Sequence, residues 1–155
     1  MALDFSRYLD VPVEDIEAPK PLPAGTYFAT IAKWEGREVD YKDGSGKTPV
    51  VTVSFKLTSA DTDVDPDLLP EGGGQGRIVQ RDYRLNDPDK AGMYALRRLG
   101  EETCQLPVKG LQLTDLLREI VNQEVKVFNN PKTNDEGTTF PRIQKVLSVH
   151  EDAGA

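Results

Sequence analysis

The stretch "VVTVSFKLTS", residues 50–59, sets Val51, Val53, Phe55 and Leu57 on one parity and Thr52, Ser54 and Lys56 on the other. A strand sends successive side chains to opposite faces, so this alternation predicts a strand with one buried and one polar side. Such a strand needs neighbours, and four further segments offer them. "GTYFATIAKWE" (25–35) is rich in Thr, Tyr, Phe, Ile and Trp, with Tyr27, Ala29 and Ile31 on one face and Phe28, Thr30, Ala32 and Trp34 on the other. "RIVQRDYRL" (77–85) reads as a third strand. "EVKVFNN" (124–130) and "FPRIQKVLSV" (140–149) read as a pair joined by the hairpin loop "PKTNDEGTT".

Helical signals fall between the third and fourth strands. In "NDPDKAGMYALRRLGEE", Asp87 is placed to cap a helix and Pro88 to occupy its first position, with Met93, Leu96 and Leu99 recurring at spacing three. Thr114 is the expected cap of a second short helix carrying Leu116, Leu117, Ile120 and Val121 on one face. Three strands, a helical connection and two strands is the order of a five-stranded OB-fold barrel, a mainly β fold that binds oligonucleotides on the face of its second and third strands and through two flanking loops. A half-open α+β sandwich fits the same spacing. The expected division is an acidic, Pro-rich arm over 1–23, the folded domain over 24–149 and a short tail over 150–155.

A chain of 155 residues is long enough to bury a core as one domain. No apolar run approaches the length of a membrane span, and the acidic N-terminus lacks the pattern of a secretory signal, so the expected location is cytoplasmic. The net charge of −7 argues against a phosphate-rich partner, but it is unevenly spread. Segments 1–20, 58–76 and 148–155 together hold 12 acids and 2 bases, whereas the remainder holds 14 acids and 17 bases. A mildly basic domain with acidic appendages is compatible with nucleic-acid binding.

Several chemistries lose their raw material. Single residues Cys104 and His150 supply neither an internal disulfide nor a zinc set nor a His-based triad. "YKDGSGKTP" (41–49) ends in the Gly-Lys-Thr of a phosphate loop, but Tyr41 stands where that motif requires Gly, and a strand rather than a helix follows. Asp61, Asp63 and Asp65 have the first spacings of a calcium loop, yet the sixth position is Pro66 and the twelfth Gly72, so a solvated acidic loop is expected. With no nucleophile–base pair in a recognisable motif, the reading is a non-enzyme without metal or cofactor.

Single-stranded nucleic acid is held by cations along its backbone and aromatics against its bases. Arg37, Tyr41, Lys42 and Lys47 form an expected mobile basic finger between the first two strands. Arg77, Arg81 and Tyr83 share a parity of the third strand, with Val79 between them. Phe28, Trp34, Phe128 and Phe140 are stacking candidates, and Lys56, Lys126, Lys132 and Arg142 complete the basic set.

The run "VTVSFKLTS…GGGQGRIVQRDYRLNDPDKAGMYALRRLGEETC", followed by "LLREIVNQEVKVFNNPKTNDEGTTFPRIQKV", resembles a family of small phage-encoded proteins of replication and recombination modules, regarded as OB-fold single-stranded DNA-binding proteins. The similarity spans roughly residues 23–148. It rests on the Gly-rich entry to the third strand, its aromatic then Leu-Asn exit, the Arg-Arg-Leu helix and the final "NPKT…G…I" hairpin. The 59–76 connection is longer and more acidic than the family pattern, and "HEDAGA" lacks a dense acidic run with a terminal aromatic. The resemblance implies a non-catalytic protein that coats and protects single-stranded DNA during phage replication or recombination, with replication or recombination proteins as further partners and self-association left open. A protein-binding OB module, accessory or virion-associated, is the alternative that the negative charge favours.

Overall fold

The computed structural model describes residues 5–16, 20–40, 44 and 46–150. A short helix, α1 (Phe5–Leu9), and a 3-10 turn at Val13–Asp15 make up the described part of the arm. The body is a five-stranded antiparallel sheet with helices packed on one side. Its strands are β1 (Gly25–Asp40), β2 (Lys47–Ala60), β3 (Ile78–Arg84), β4 (Glu124–Asn129) and, after a two-stranded ribbon of β5 (Lys132–Thr133) and β6 (Thr139–Phe140), β7 (Ile143–Leu147). The spatial order is β3-β2-β1-β4-β7. The sheet is not closed into a barrel: β3 and β7 are its two edges, and no ladder joins them among the described residues.

The alternation in β2 works as its composition dictates. Val51, Val53, Phe55 and Leu57 are buried and face a core completed by Tyr27, Ile31, Val79, Leu96, Ile120, Val125 and Val127. Each such side chain contributes about 1.5–3 kcal/mol relative to exposure. Tyr27 keeps its hydroxyl satisfied in this setting by donating to the Pro23 carbonyl at 2.7 Å. Burial, reinforced by Asp63 and opposed by Arg77, pushes that hydroxyl's pKa up to about 12.

β1 carries an irregularity that the sequence pattern does not announce. Ile31 pairs with Phe55 and Lys33 with Ser54, leaving Ala32 as an extra residue. A bulge of this kind reverses the facing of everything beyond it. Trp34 therefore stands opposite Val53, on the core side.

The helical connection starts later than expected. Asp87, Pro88 and Asp89 form a turn in which the Lys90 amide donates to the Asp87 carbonyl at 2.9 Å, and α2 runs only over Ala91–Arg98. Lys90 has a left-handed backbone, which ends the turn and begins the helix. Gly92 is required by close approach: a Cβ there would lie 1.8 Å from the Arg84 carbonyl oxygen of β3. α2 continues into a π-helical turn at Leu99–Thr103, and Gly100 leaves the space that Leu116 fills. Arg97–Glu101 and Arg98–Glu102 pairs lie along the exposed side. The following helix, α3 (Leu113–Ile120), is capped by Gln112 rather than Thr114, in a reciprocal arrangement with Asp115, and buries Leu116, Leu117 and Ile120.

The acidic 59–76 connection is largely exposed, as expected of a solvated loop, but two of its carboxylates, Asp61 and Asp63, are tied to the sheet. Asp61 pairs with Lys126 at 3.3 Å. Asp63 accepts from the Thr26 amide at 2.9 Å and hydroxyl at 2.7 Å. Asp65 caps a short turn by accepting from the Asp67 amide at 2.9 Å. Val64 and Pro70 are buried among these contacts. Three carboxylates that resemble calcium ligands in spacing thus have structural roles.

Candidate nucleic-acid interface

The outer face of the sheet, away from the helices, is assembled in rows. Across β2 and β3, Val50 faces Arg84, Thr52 faces Asp82, Ser54 faces Gln80 and Lys56 faces Ile78. β1 extends three of these rows with Arg37, Glu35 and Lys33. Thr52 and Ser54 are nearly inaccessible despite facing outward, because longer neighbours lie over them: Thr52 donates to Asp82 at 2.6 Å and Gln80 to Ser54 at 3.3 Å. The accessible outer surface is therefore carried by Lys33 and its partner Glu35 at 3.8 Å, with Arg37, Lys56, Ile78, Gln80, Asp82 and Arg84.

Two arms flank this face. The β1–β2 hairpin runs beyond the last row shared with β3 to the Asp40–Lys47 pair. On the other flank, the β5–β6 ribbon is shaped by Asn134, whose side-chain oxygen accepts from the Glu136 and Thr138 amides at 3.0 and 2.9 Å. The Thr133 and Thr139 hydroxyls meet across the ribbon at 2.8 Å. Asn129, fully buried, anchors its base by accepting from the Arg142 amide at 2.9 Å while donating to the Leu22 carbonyl at 3.0 Å. Between the arms lies a groove of about 560 Å³ lined by Arg37, Ile78, Gln80, Asp82 and Pro141. The Arg37 guanidinium contacts both Asp82 carboxylate oxygens, at 3.0 and 3.2 Å.

Of the residues singled out from sequence, Arg37 lines this groove, and Lys56 stands in the same row as Ile78. Lys47 is exposed at the hairpin's start, and Lys132, Phe140 and Arg142 are exposed on the ribbon whose end supplies Pro141. Arg142 also donates through Nε to the Asn130 carbonyl at 3.2 Å. Tyr41 and Lys42 lie outside the described residues.

The rest are elsewhere. Tyr83 is only 3% exposed and belongs to the core with Val79, so it offers no ring to a base. Burial pushes its hydroxyl pKa up, an effect the neighbouring Arg81 partly offsets. Arg81 sits over the Tyr83 ring at 5.1 Å and points into a separate cleft of about 320 Å³ between β3 and β7, with Arg98 and Lys145. Arg77 is half-buried and donates to the Lys20 carbonyl at 2.7 Å, fastening the arm's junction. Lys126, 5% exposed, is taken up by Asp61 and lies 5.2 Å from the Phe28 ring centre. Phe28 and Phe128 are half-buried on the β1–β4 part of the outer face, away from the groove lining. Trp34 packs against the core.

Ile78, Gln80, Asp82, Arg84 and Pro141 were not anticipated. Their signal was present in β3, where Val79 and Tyr83 are the inward pair, but the apolar Ile78 on the opposite parity obscured it. The Gly-Lys-Thr segment leads into β2, and the Thr48 hydroxyl donates to the Asn86 side chain. Among the described residues no helix is long and apolar enough to cross a membrane.

No protein-family model matches the chain, and no curated protein matches it. Among solved structures, the chain is similar to yeast RPA bound to ssDNA, at 11% identity over 99% of this chain and 90% of that one, with a TM-score of 0.35.

Proposed function

We propose that this protein is an OB-like, non-catalytic single-stranded DNA-binding protein that seats the strand along the outer face of β1, β2 and β3. The observation that carries the reading is the groove between the two hairpin arms, which cationic Arg37 and the exposed apolar Ile78 both line, with Asp82 and Gln80 between them. A flexible strand needs charge for its phosphates and apolar surface for its bases, and this groove offers both. The strand order, with its helical connection between β3 and β4, is that of an OB-fold lacking only the closing ladder. Lys47, Lys56, Lys132 and Arg142 extend the cationic surface, and Phe140 adds an exposed ring on the ribbon. In this reading the protein coats and protects single-stranded DNA in the cytoplasm during phage replication or recombination, as the family resemblance implies.

Fluorescence anisotropy with labelled oligo-dT and with duplex of the same length tests the proposal. Preference for the single strand is expected, with affinity falling about a hundredfold between 50 and 200 mM salt for roughly five phosphate contacts. Equal, salt-insensitive or undetectable binding would overturn it. The second reading, a protein-binding module, draws on the Arg37–Asp82 pair, which neutralises the groove's central cation.

A further inference from the structure

From the described surface we infer a head-to-tail contact between copies of this chain, in which the N-terminal arm of one molecule occupies an apolar groove on the helical side of the next. The two surfaces lie on different parts of the chain. In the arm, Leu9, Val13 and Ile16 are 79%, 83% and 65% exposed, a concentration of bare apolar side chains that a lone segment gains nothing by carrying. Across 5–16 the arm has three acids, Asp10, Glu14 and Asp15, against one base, Arg7.

The receiving surface lies between α2 and the segment leading into α3. It is a groove of about 590 Å³ whose apolar surface comes from Met93, Tyr94, Leu111 and Leu113. Tyr94 is 58% exposed there, and Met93 and Leu111 are exposed beside it. Its polar lining carries Lys90, Arg97 and Lys109 and no acid. Arg97 shares its charge with Glu101, which leaves Lys90 and Lys109 as the main counterparts of the arm's carboxylates.

Apolar residues framed by acids on one segment and an apolar groove rimmed by bases on the other are complementary in both respects, the usual basis for a short segment docking in a groove. A second copy is the favoured occupant because the arm, in the same molecule as the groove, leaves its apolar residues in solvent. The contact joins unlike surfaces, so a pair retains one free arm and one free groove, and association can continue beyond it. It lies on the helical side, away from the outer-face groove, and does not depend on DNA binding.

The test uses the full chain without DNA. Sedimentation velocity across a concentration series should show mass rising beyond that of a dimer. Val13→Asp/Ile16→Asp in the arm and Tyr94→Asp/Leu111→Asp in the groove should each abolish the rise. Circular dichroism and thermal melts establish that both remain folded, and Lys90→Glu/Lys109→Glu replaces the groove variant if it does not. An equimolar mixture of arm-defective and groove-defective chains retains one intact arm and one intact groove, and should form a dimer and nothing larger. A wild type that stays monomeric, variants that associate like wild type, or a mixture that remains monomeric would each overturn the inference.

Discussion

Phe28 and Trp34 lie on opposite faces of β1. Six residues apart, they would share a face in a regular strand, but the bulge at Ala32 sends Phe28 to the outer side beside Lys126 and Trp34 to the core side opposite Val53. Trp34→Ala should accordingly lower stability by about 2–4 kcal/mol, a little less than for a fully buried tryptophan, because the side chain is half-buried. Oligo-dT should leave the wild-type emission largely unchanged. Strong quenching, together with a variant melting like wild type, would show that the indole faces the ligand.

Arg37 and Asp82 form an exposed pair, so separating them should change stability by no more than about 1 kcal/mol. Its consequence for DNA binding should be larger. Asp82→Asn removes the competing charge, frees Arg37 for phosphate and should raise affinity for oligo-dT while steepening its salt dependence. Arg37→Ala should lower affinity and flatten that dependence by about one phosphate contact. Anisotropy titrations at several salt concentrations measure both, and unaltered slopes in the two variants would place the strand elsewhere.

The Asp61–Lys126 pair is asymmetric, since the lysine is buried and the aspartate is only partly so. Asp61→Ala strips a buried ammonium of its carboxylate and should cost about 3 kcal/mol. Lys126→Met leaves a carboxylate that solvent can reach and should cost less. The Thr62 amide, followed by Lys126, holds Asp61 below the usual carboxylate pKa despite opposing burial. A group lowered on folding stabilises above its unfolded pKa and loses that contribution as pH falls through the folded value. Urea melts should therefore show wild type weakening in acid below about pH 4, and Asp61→Ala a shallower dependence over the same interval.

Burial pushes the Cys104 thiol up to about 11. At pH 8 its thiolate fraction should be about a hundredfold below that of an ordinary cysteine with a pKa near 9. Alkylation of the native protein should be correspondingly slow and should recover in denaturant. Rapid labelling of the native chain at neutral pH would contradict this environment.

The strands were legible wherever burial imposed a period. Val51 to Leu57 alternate because one side meets the core, and the same logic located the partners around Tyr27 and Val125. Register was not legible. The extra residue at Ala32 follows from pairing with β2, and nothing in the local composition announces it. The site suffered accordingly: Trp34 and Tyr83 have suitable chemistry for stacking but face inward, while Ile78 reads as core and faces outward. Lys126 was legible as a cation but not as a buried one, because its partner Asp61 comes from a segment that composition alone marks as solvent-loving. The caps of α2 and α3 moved by two or three residues for a similar reason, as close contact with β3 at Gly92 sets where α2 can begin.

β1 has a second consequence, which concerns timing on the ribosome. Its first residues pair with β2 on one side and with β4 on the other, and β4 is encoded about 95 residues downstream. At about 5–20 residues per second, roughly 5–20 s separate synthesis of the two. During that interval the β1–β2 hairpin can form, but the flank of Gly25–Thr30 that awaits β4 presents unpaired amides and carbonyls to its surroundings. Newly made chains crowded on one messenger should therefore be most prone to cross-pairing along this flank, and slowing translation between codons 60 and 124 would lengthen their exposure.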